Sequence, residues 1–312
     1  MYLFSNVLGV FVFDDKLNKV DEILFKTFED SQNKKNLIEK MKGRHKGLKE
    51  PDGNSIRKIM LYFKSENLLN EFYIKNLELT KFDTRNSVKN DLLLIHSTKS
   101  IGEIDKAIDL LVKRLREWYD IYNPEFSRSV DDHEKFVGEI LEKEKDELLR
   151  QINVEATDSI GASFAPQDIE PIKSLARQIC NLYQLRKAQF EYISALMDGL
   201  CPNLKAVCDV LVCAKLMEHA GSLKRLSEMP SSTIQVLGAE KALFRHIKTG
   251  AKPPRHGLII AHPLIARAPE KMHGRIARAL ADKISIASRV DYFNGQFIGD
   301  KLRKELEEKY KQ

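Results

Sequence analysis

The chain is 312 residues long, enough for about two domains at roughly 150 residues each, and its 43% hydrophobic and 31% charged residues exclude a disordered polymer. No stretch approaches the ~20 consecutive apolar residues that a membrane span needs, so the chain reads as soluble and intracellular. The net charge of +6 is unevenly spread: residues 1–200 carry 31 Lys and Arg against 34 Asp and Glu, whereas residues 201–300 carry 15 against 8, with five of the eight histidines.

The first predicted element is a strand over residues 3–13, followed by a turn at DDKLN and a returning strand over 19–26. The run VLGVFVF inside it has no basic residue before it and meets Asp14 and Asp15 at once, unlike a signal peptide. A helix is expected over 31–42. Another is expected over 65–75 with Ser65 as N-cap, because Leu68, Leu69, Phe72 and Tyr73 share a face. DLLLIH, at 91–96, reads as a short buried strand. No GxGxxG, P-loop or GxSxG motif occurs, so nothing points to a nucleotide site or a serine nucleophile.

From residue 101 the period becomes helical. Ile104, Ile108, Leu111, Leu115 and Trp118 form one stripe of a helix that ends before Pro124. A second helix is expected over 133–153 and a third over 166–199, with Pro166 at its first turn. The third repeats by sevens: Ile172, Ile179, Arg186, Ile193 and Leu200 hold one position, and Leu175, Leu182, Gln189 and Leu196 the other. Such a seam marks a coiled coil. Ala176, Tyr183, Phe190 and Met197 widen it, so the helix is expected to meet more than one neighbour, to form a hairpin with the second helix and to leave a remainder for self-association. Ile172, Leu175, Ile179, Leu182, Tyr183, Arg186, Phe190 and Ile193 are the candidate self-association residues. Arg186 and Gln189 in mid-seam are either a register device or the place where the seam reaches solvent.

Cys180, Cys201, Cys208 and Cys213 fit no zinc or CxxC spacing and read as buried thiols. Beyond Pro202 the chain is helical again, with stops at Gly221 and Pro230. Ser231, Ser232 and Thr233 are cap-type residues before Gly238, so a new helix is expected near Ala239. In GAEKALFRHIKTGAKPPRHG, Lys241, Arg245, Lys248, Lys252 and Arg255 stand against one acid, Glu240. Lys241, Arg245 and Lys248 lie at i, i+4 and i+7, three cations along one helical face, and the track turns a corner at Gly250. That pattern suits a bent phosphate backbone. Lys224 and Arg225 add charge just upstream. Glu240 either meets a basic group on a partner or caps its own helix. A last helix, over 269–289, buries Ile276, Leu280, Ile284 and Ala287, and its Arg275, Arg278 and Lys283 read as solubilising charges. His262 reads as a hydrogen-bonded core histidine. The fold class is α+β and predominantly α-helical.

HAGSL, STIQVLGAEKALFR and GLIIAHPLI, in this order, resemble the signature of the Nop family, core proteins of box C/D small ribonucleoproteins, with Prp31-type splicing factors as cousins. The likeness runs from about residue 204 to 291, and IDKAIDLLVKRLREWYDIYNPE is similar to the segment before the family's coiled coil. The resemblance implies three modules: a small N-terminal α/β domain (1–99) that docks the methyltransferase fibrillarin, a helical coiled-coil domain (100–200) that pairs two copies, and an all-α C-terminal Nop domain (201–312). The last would grip a box C/D guide RNA, and its target, together with a ribosomal-protein-like kink-turn binder. The resemblance places RNA and partner contact on Gly238, Ala239, Glu240 and Lys241, and likens Ala242, Leu243, Phe244 and Arg245 to the piece that approaches the end of the guide–target duplex. Together with the charge track, the candidate RNA contacts are Lys224, Arg225, Gln235, Gly238, Ala239, Lys241, Arg245, Lys248, Lys252 and Arg255, and the candidate partner-protein contacts are His219, Glu240, Ala242 and Phe244. The resemblance implies a non-catalytic scaffold with no cofactor or metal of its own, S-adenosylmethionine belonging to fibrillarin. Ending at Gln312 without a long Lys/Glu-rich tail, the chain departs from the eukaryotic pattern, which points to an archaeal, cytoplasmic protein or to a shortened chain; a eukaryotic one would be nucleolar. The alternative is a Prp31-like spliceosomal protein, which has no reason to bind fibrillarin.

Overall fold

The computed structural model describes residues 1–27, 30, 33–64 and 66–310. The chain divides into two units, Met1–Val88 and Lys89–Gln312.

In the first unit, strands β1 (Tyr2–Ser5), β2 (Gly9–Phe13) and β3 (Lys19–Leu24) form an antiparallel sheet in the order β1-β2-β3. The single strand expected over 3–13 is therefore two. The chain reverses at residues 6–8, where Asn6 N donates to Gly9 O (3.0 Å) and Asn6 Oδ1 accepts from Leu8 N (2.9 Å). Every residue of β2 is buried because both faces of the sheet are covered. Phe11 and Phe13 pack with Ile59 and Phe63, and Val10 and Val12 pack with Met41, the alternation that a pleated strand imposes. Ile59 belongs to α2 (Gly53–Tyr62) and Met41 to α1 (Lys34–Arg44). The Asp14 carboxylate accepts from Asn18 N and Lys16 N at the β2–β3 turn, and these bonds hold its pKa below the usual range. Helix α3 (Glu66–Ser87) is far longer than the one expected over 65–75. Ser31 and the proposed N-cap Ser65 lie outside the described residues.

The second unit is all helical and hangs on two long helices. Helix α4 (Asn90–Tyr122) has 33 residues and α8 (Pro166–Leu200) has 35, each roughly 50 Å long at 1.5 Å per residue. The strand expected at 91–96 is the first turns of α4. Four apolar residues in a row cover more than one side of a helix, and here Leu92 and Leu93 face solvent while Leu94 and Ile95 are buried. Leu94 and Ile101 pack with Ile193 and Met197, whereas Ile108, Val112 and Leu115 pack with Ile172, Ala176 and Ile179. The helices thus run antiparallel and join two separate cores, so the main partner of the third expected helix is the first and not the second, which meets it only at one end. Arg186 pairs with Asp105 where these cores meet, and Gln189 Oε1 accepts from Ser97 Oγ (2.5 Å) beside Leu94 and Ile101.

The core around Ile108, Val112 and Leu115, the first of the two, is closed by α5 (Pro124–Ser129), α6 (His133–Glu142) and α7 (Lys145–Gln151). The helix expected over 133–153 is broken because Lys143 and Glu144 adopt extended backbone.

The second core, around Leu94 and Ile101, gathers α9 (Pro202–Cys208), α10 (Val210–Ala220), α11 (Leu223–Glu228), α12 (Ser231–Val236), a 3-10 turn (Leu258–Ala261), α14 (Pro263–Ala266), α15 (Glu270–Tyr292) and α16 (Gly299–Tyr310), while α13 (Glu240–Thr249) lies outside it. Leu204, Leu216, Leu226, Ile234, Leu280 and Ile284 are fully buried in it. The four cysteines are free thiols, three of them buried here. The Cys201 and Cys213 sulfurs lie 3.8 Å apart, and their contact together with burial pushes the Cys201 thiol up, keeping it protonated and inert. His262 accepts from Leu264 N through Nδ1, so its Nε2 carries the proton toward the Val207 carbonyl. It is a satisfied core histidine. Among the described residues no helix is long and apolar enough to cross a membrane.

Candidate nucleic-acid interface

The basic segment is framed by two backbone crossings. Gly257 N donates to Gln235 O and Leu258 N to Leu237 O, both at 2.8 Å, so the end of α12 is tied to the residues that follow the Pro-rich loop. The Gln235 amide adds a third tie, donating to Arg255 O at 2.7 Å. Gln235 therefore holds the loop in place. Gly238 takes φ +85° between them, and a Cβ there would stand 2.5 Å from the Leu258 side chain. At Gly257 a Cβ would stand 1.9 Å from Leu237 O, backbone against side chain with no room to move. Gly257→Ala is expected to pry these strands of chain apart and to cost about 3 kcal/mol, a strain-class effect that thermal melting would register.

Residues 231–233, cap-type by their chemistry, lie inside a helix of their own. They open α12, with Pro230 as its N-cap. The next helix, α13, starts at Glu240 with Ala239 at its N-cap position. The Glu240 carboxylate accepts from Gly238 N at 2.7 Å, on the residue before the N-cap, so it braces the turn into α13 rather than capping the helix. Partial burial pushes its pKa up, but the backbone N–H groups of Glu240 and Gly238, with His219 nearby, more than offset this and leave it below the usual range.

Helix α13 has no buried residue. Phe244 is 63% exposed and Ile247 70%, on the same helix as Lys241, Arg245 and Lys248. Among the described residues, Lys241, Arg245, Lys248 and Lys252 pair with no carboxylate. Arg255 meets Glu270 at 3.6 Å, but both are well exposed and the pair is worth little. Gly250 closes the helix at φ +70° and His246 Nδ1 bonds the Ala251 carbonyl, which turns the chain so that Lys252 follows around the corner. The surface thus sets cations without carboxylate partners, among the described residues, beside exposed apolar side chains.

The other predicted residues fall in different places. Lys224 and Arg225 are exposed on a separate helix, α11, which packs against α15. His219 is exposed near the end of α10, and Ala242 is half-buried. In the seam of α8, Ile172, Ile179 and Ile193 are buried inside the chain's own cores. Leu175, Leu182, Tyr183, Arg186 and Phe190 are half-buried, and Leu185 and Tyr192, absent from the sequence reading, are exposed. Leu258 and Glu270 were also missed, though the sequence Pro269-Glu270 is a helix-start signal.

Residues 100–312 match the family described as Nop, snoRNA binding domain, fibrillarin. The chain belongs to the Nop family. It is 40% identical over 244 residues to an uncharacterized NOP5 family protein of Methanocaldococcus jannaschii, covering 73% of this chain and 59% of that protein. It is 37% identical over 253 residues to nucleolar protein 56 of Caenorhabditis elegans, covering 73% and 51%, and 36% identical over 240 residues to that of Bos taurus, covering 70% and 40%. This Nop chain thus spans between 40% and 59% of the length of these relatives. A solved chain titled crystal structure of fibrillarin/Nop5p complex aligns with a TM-score of 0.46 and 22% identity over 99% of this chain and 98% of its own. The family match contains the whole basic segment and begins within α4, so the N-terminal sheet lies outside it.

Proposed function

We propose that this Nop protein is a non-catalytic scaffold of a box C/D small ribonucleoprotein, bridging fibrillarin to a guide RNA already held by a kink-turn-binding protein. The observation that carries the reading is α13, on which Lys241, Arg245 and Lys248, paired with no carboxylate among the described residues, share a helix without buried residues with the exposed Phe244. In this reading Lys241, Arg245, Lys248, Lys252 and Arg255 meet phosphates, with Lys224 and Arg225 adding long-range attraction. Gly238, Ala239 and Gln235 shape the approach. Phe244, Ala242 and His219 meet the kink-turn protein, and Glu240 keeps the helix start in order. The N-terminal domain docks fibrillarin, which brings S-adenosylmethionine and performs the 2′-O-methyl transfer; this chain needs no cofactor. A second copy pairs along what α8 leaves uncovered, chiefly Leu185 and Tyr192 beside the half-buried Leu182 and Tyr183. The archaeal and nucleolar relatives support a cytoplasmic or nucleolar setting according to the source.

Reconstitution tests the reading. Fibrillarin is expected to remain on a box C/D guide RNA, preloaded with its kink-turn protein, only when this chain is added, and target methylation is expected to follow. Retention of fibrillarin without the chain would overturn the bridging role.

A further inference from the structure

Helix α15 presents an exposed face to which the reading above gives no role. Lys271, Arg275, Arg278 and Arg289 fall on one side of it, all exposed, with Asp282 as the one acid on that stripe. Among the described residues, none of the four cations pairs with a carboxylate. The stripe runs about 27 Å at 1.5 Å per residue and ends at Phe293, which is 75% exposed.

Charges that merely keep a domain in solution do not need a bare phenylalanine at the end of their row. Tyr292 meets the Phe293 ring edge-on at 5.0 Å, and Phe297 close by is 55% exposed. The loop that carries them is fixed at both ends. Gly295 N donates to Val290 O (2.8 Å) and Ile298 N to Asn203 Oδ1 (2.6 Å). An aromatic held open to water on an anchored loop is a stacking platform.

The other end of the stripe begins beside the basic loop. Arg255 meets Glu270 at 3.6 Å, and the His256 and His273 rings are 5.8 Å apart. Cations therefore continue from Lys252 and Arg255 onto α15.

We infer that α15 is a second RNA-contacting surface, along which a single strand leaving the Arg255 loop lays its phosphates on Lys271, Arg275, Arg278 and Arg289 and stacks a base on Phe293. The inference rests on the reading of that loop as an RNA site. An unpaired strand is the fitting ligand because only an unstacked base offers a face to Phe293.

The test uses the full chain and a single-stranded oligouridylate, with affinity measured against salt. Arg275→Ala with Arg278→Ala is expected to weaken binding about tenfold or more and to make the salt slope shallower by about 1 to 2. Phe293→Ala is expected to weaken it about tenfold at an unchanged slope. All three side chains are exposed, so circular dichroism should not change. Unaltered oligouridylate binding in both variants overturns the inference. So does binding that is lost only in Lys241→Ala with Arg245→Ala, or an α15 variant whose sole defect is capture of the kink-turn protein without RNA. A chain that binds oligouridylate through α15 yet ignores a loaded kink-turn RNA would instead sink the scaffold reading and leave this surface standing.

Discussion

Replacing Lys241 and Arg245 together by alanine is expected to weaken binding to a kink-turn RNA, already loaded with its primary protein, by about 30- to 150-fold. That corresponds to about 2 to 3 kcal/mol for two charge-assisted phosphate contacts. The two side chains stand one turn apart on α13 and, among the described residues, pair with no carboxylate of their own. Nothing else in the fold depends on them, since the helix contributes no buried residue. The melting temperature should therefore hold steady while affinity falls and the log–log salt slope drops by about 2. An affinity that survives the double substitution would remove the electrostatic basis of the proposed function.

Asp291→Ala is expected to act in the opposite sense, on the fold first. Its carboxylate is buried in the second core and accepts from Asn203 N (3.1 Å), Asn203 Nδ2 (2.7 Å) and Leu204 N (2.8 Å), so it fastens the end of α15 to the start of α9. Removing it strands these donors, at about 3 kcal/mol. Burial raises the Asp291 pKa, and the three donated bonds lower it without fully compensating. A carboxyl raised in the folded state lends its stability while protonated, below its unfolded value of about 3.9, and loses it as pH climbs through the folded value. The gap between the native chain and the variant should thus be widest near pH 4 and narrower at pH 7. Denaturant unfolding at both pH values checks this, and a gap that widens with pH would contradict it.

Much of the helical layout is legible because punctuation and period agree. Pro124 and Pro166 open helices in the structure, Gly221 and Gly250 close them at positive φ, and the sevenfold repeat of 172–200 lies on one unbroken helix. Errors gather where a local pattern has two solutions. LLLI reads as a strand because its length suits one, and only the burial of Thr98 and Ile101 further along reveals the helical face. The reversal at residues 6–8 hides in an apolar run because its turn is made by one asparagine side chain. On the interface, the charges and their helix could be read from spacing. The ties among Gln235, Arg255 and Gly257 could not, since they join residues some twenty apart through backbone atoms that no residue type announces. The Asn203–Asp291 link, 88 residues apart, is equally silent in sequence.

The Asp105–Arg186 pair has its own bearing on how the helical unit yields. Apolar packing is interrupted there, so loosening that starts at one end meets a boundary of different chemistry before it reaches the other. Opening around a ligand at the end that carries α13 is therefore expected to leave amide exchange at the far end of the same helix pair unchanged.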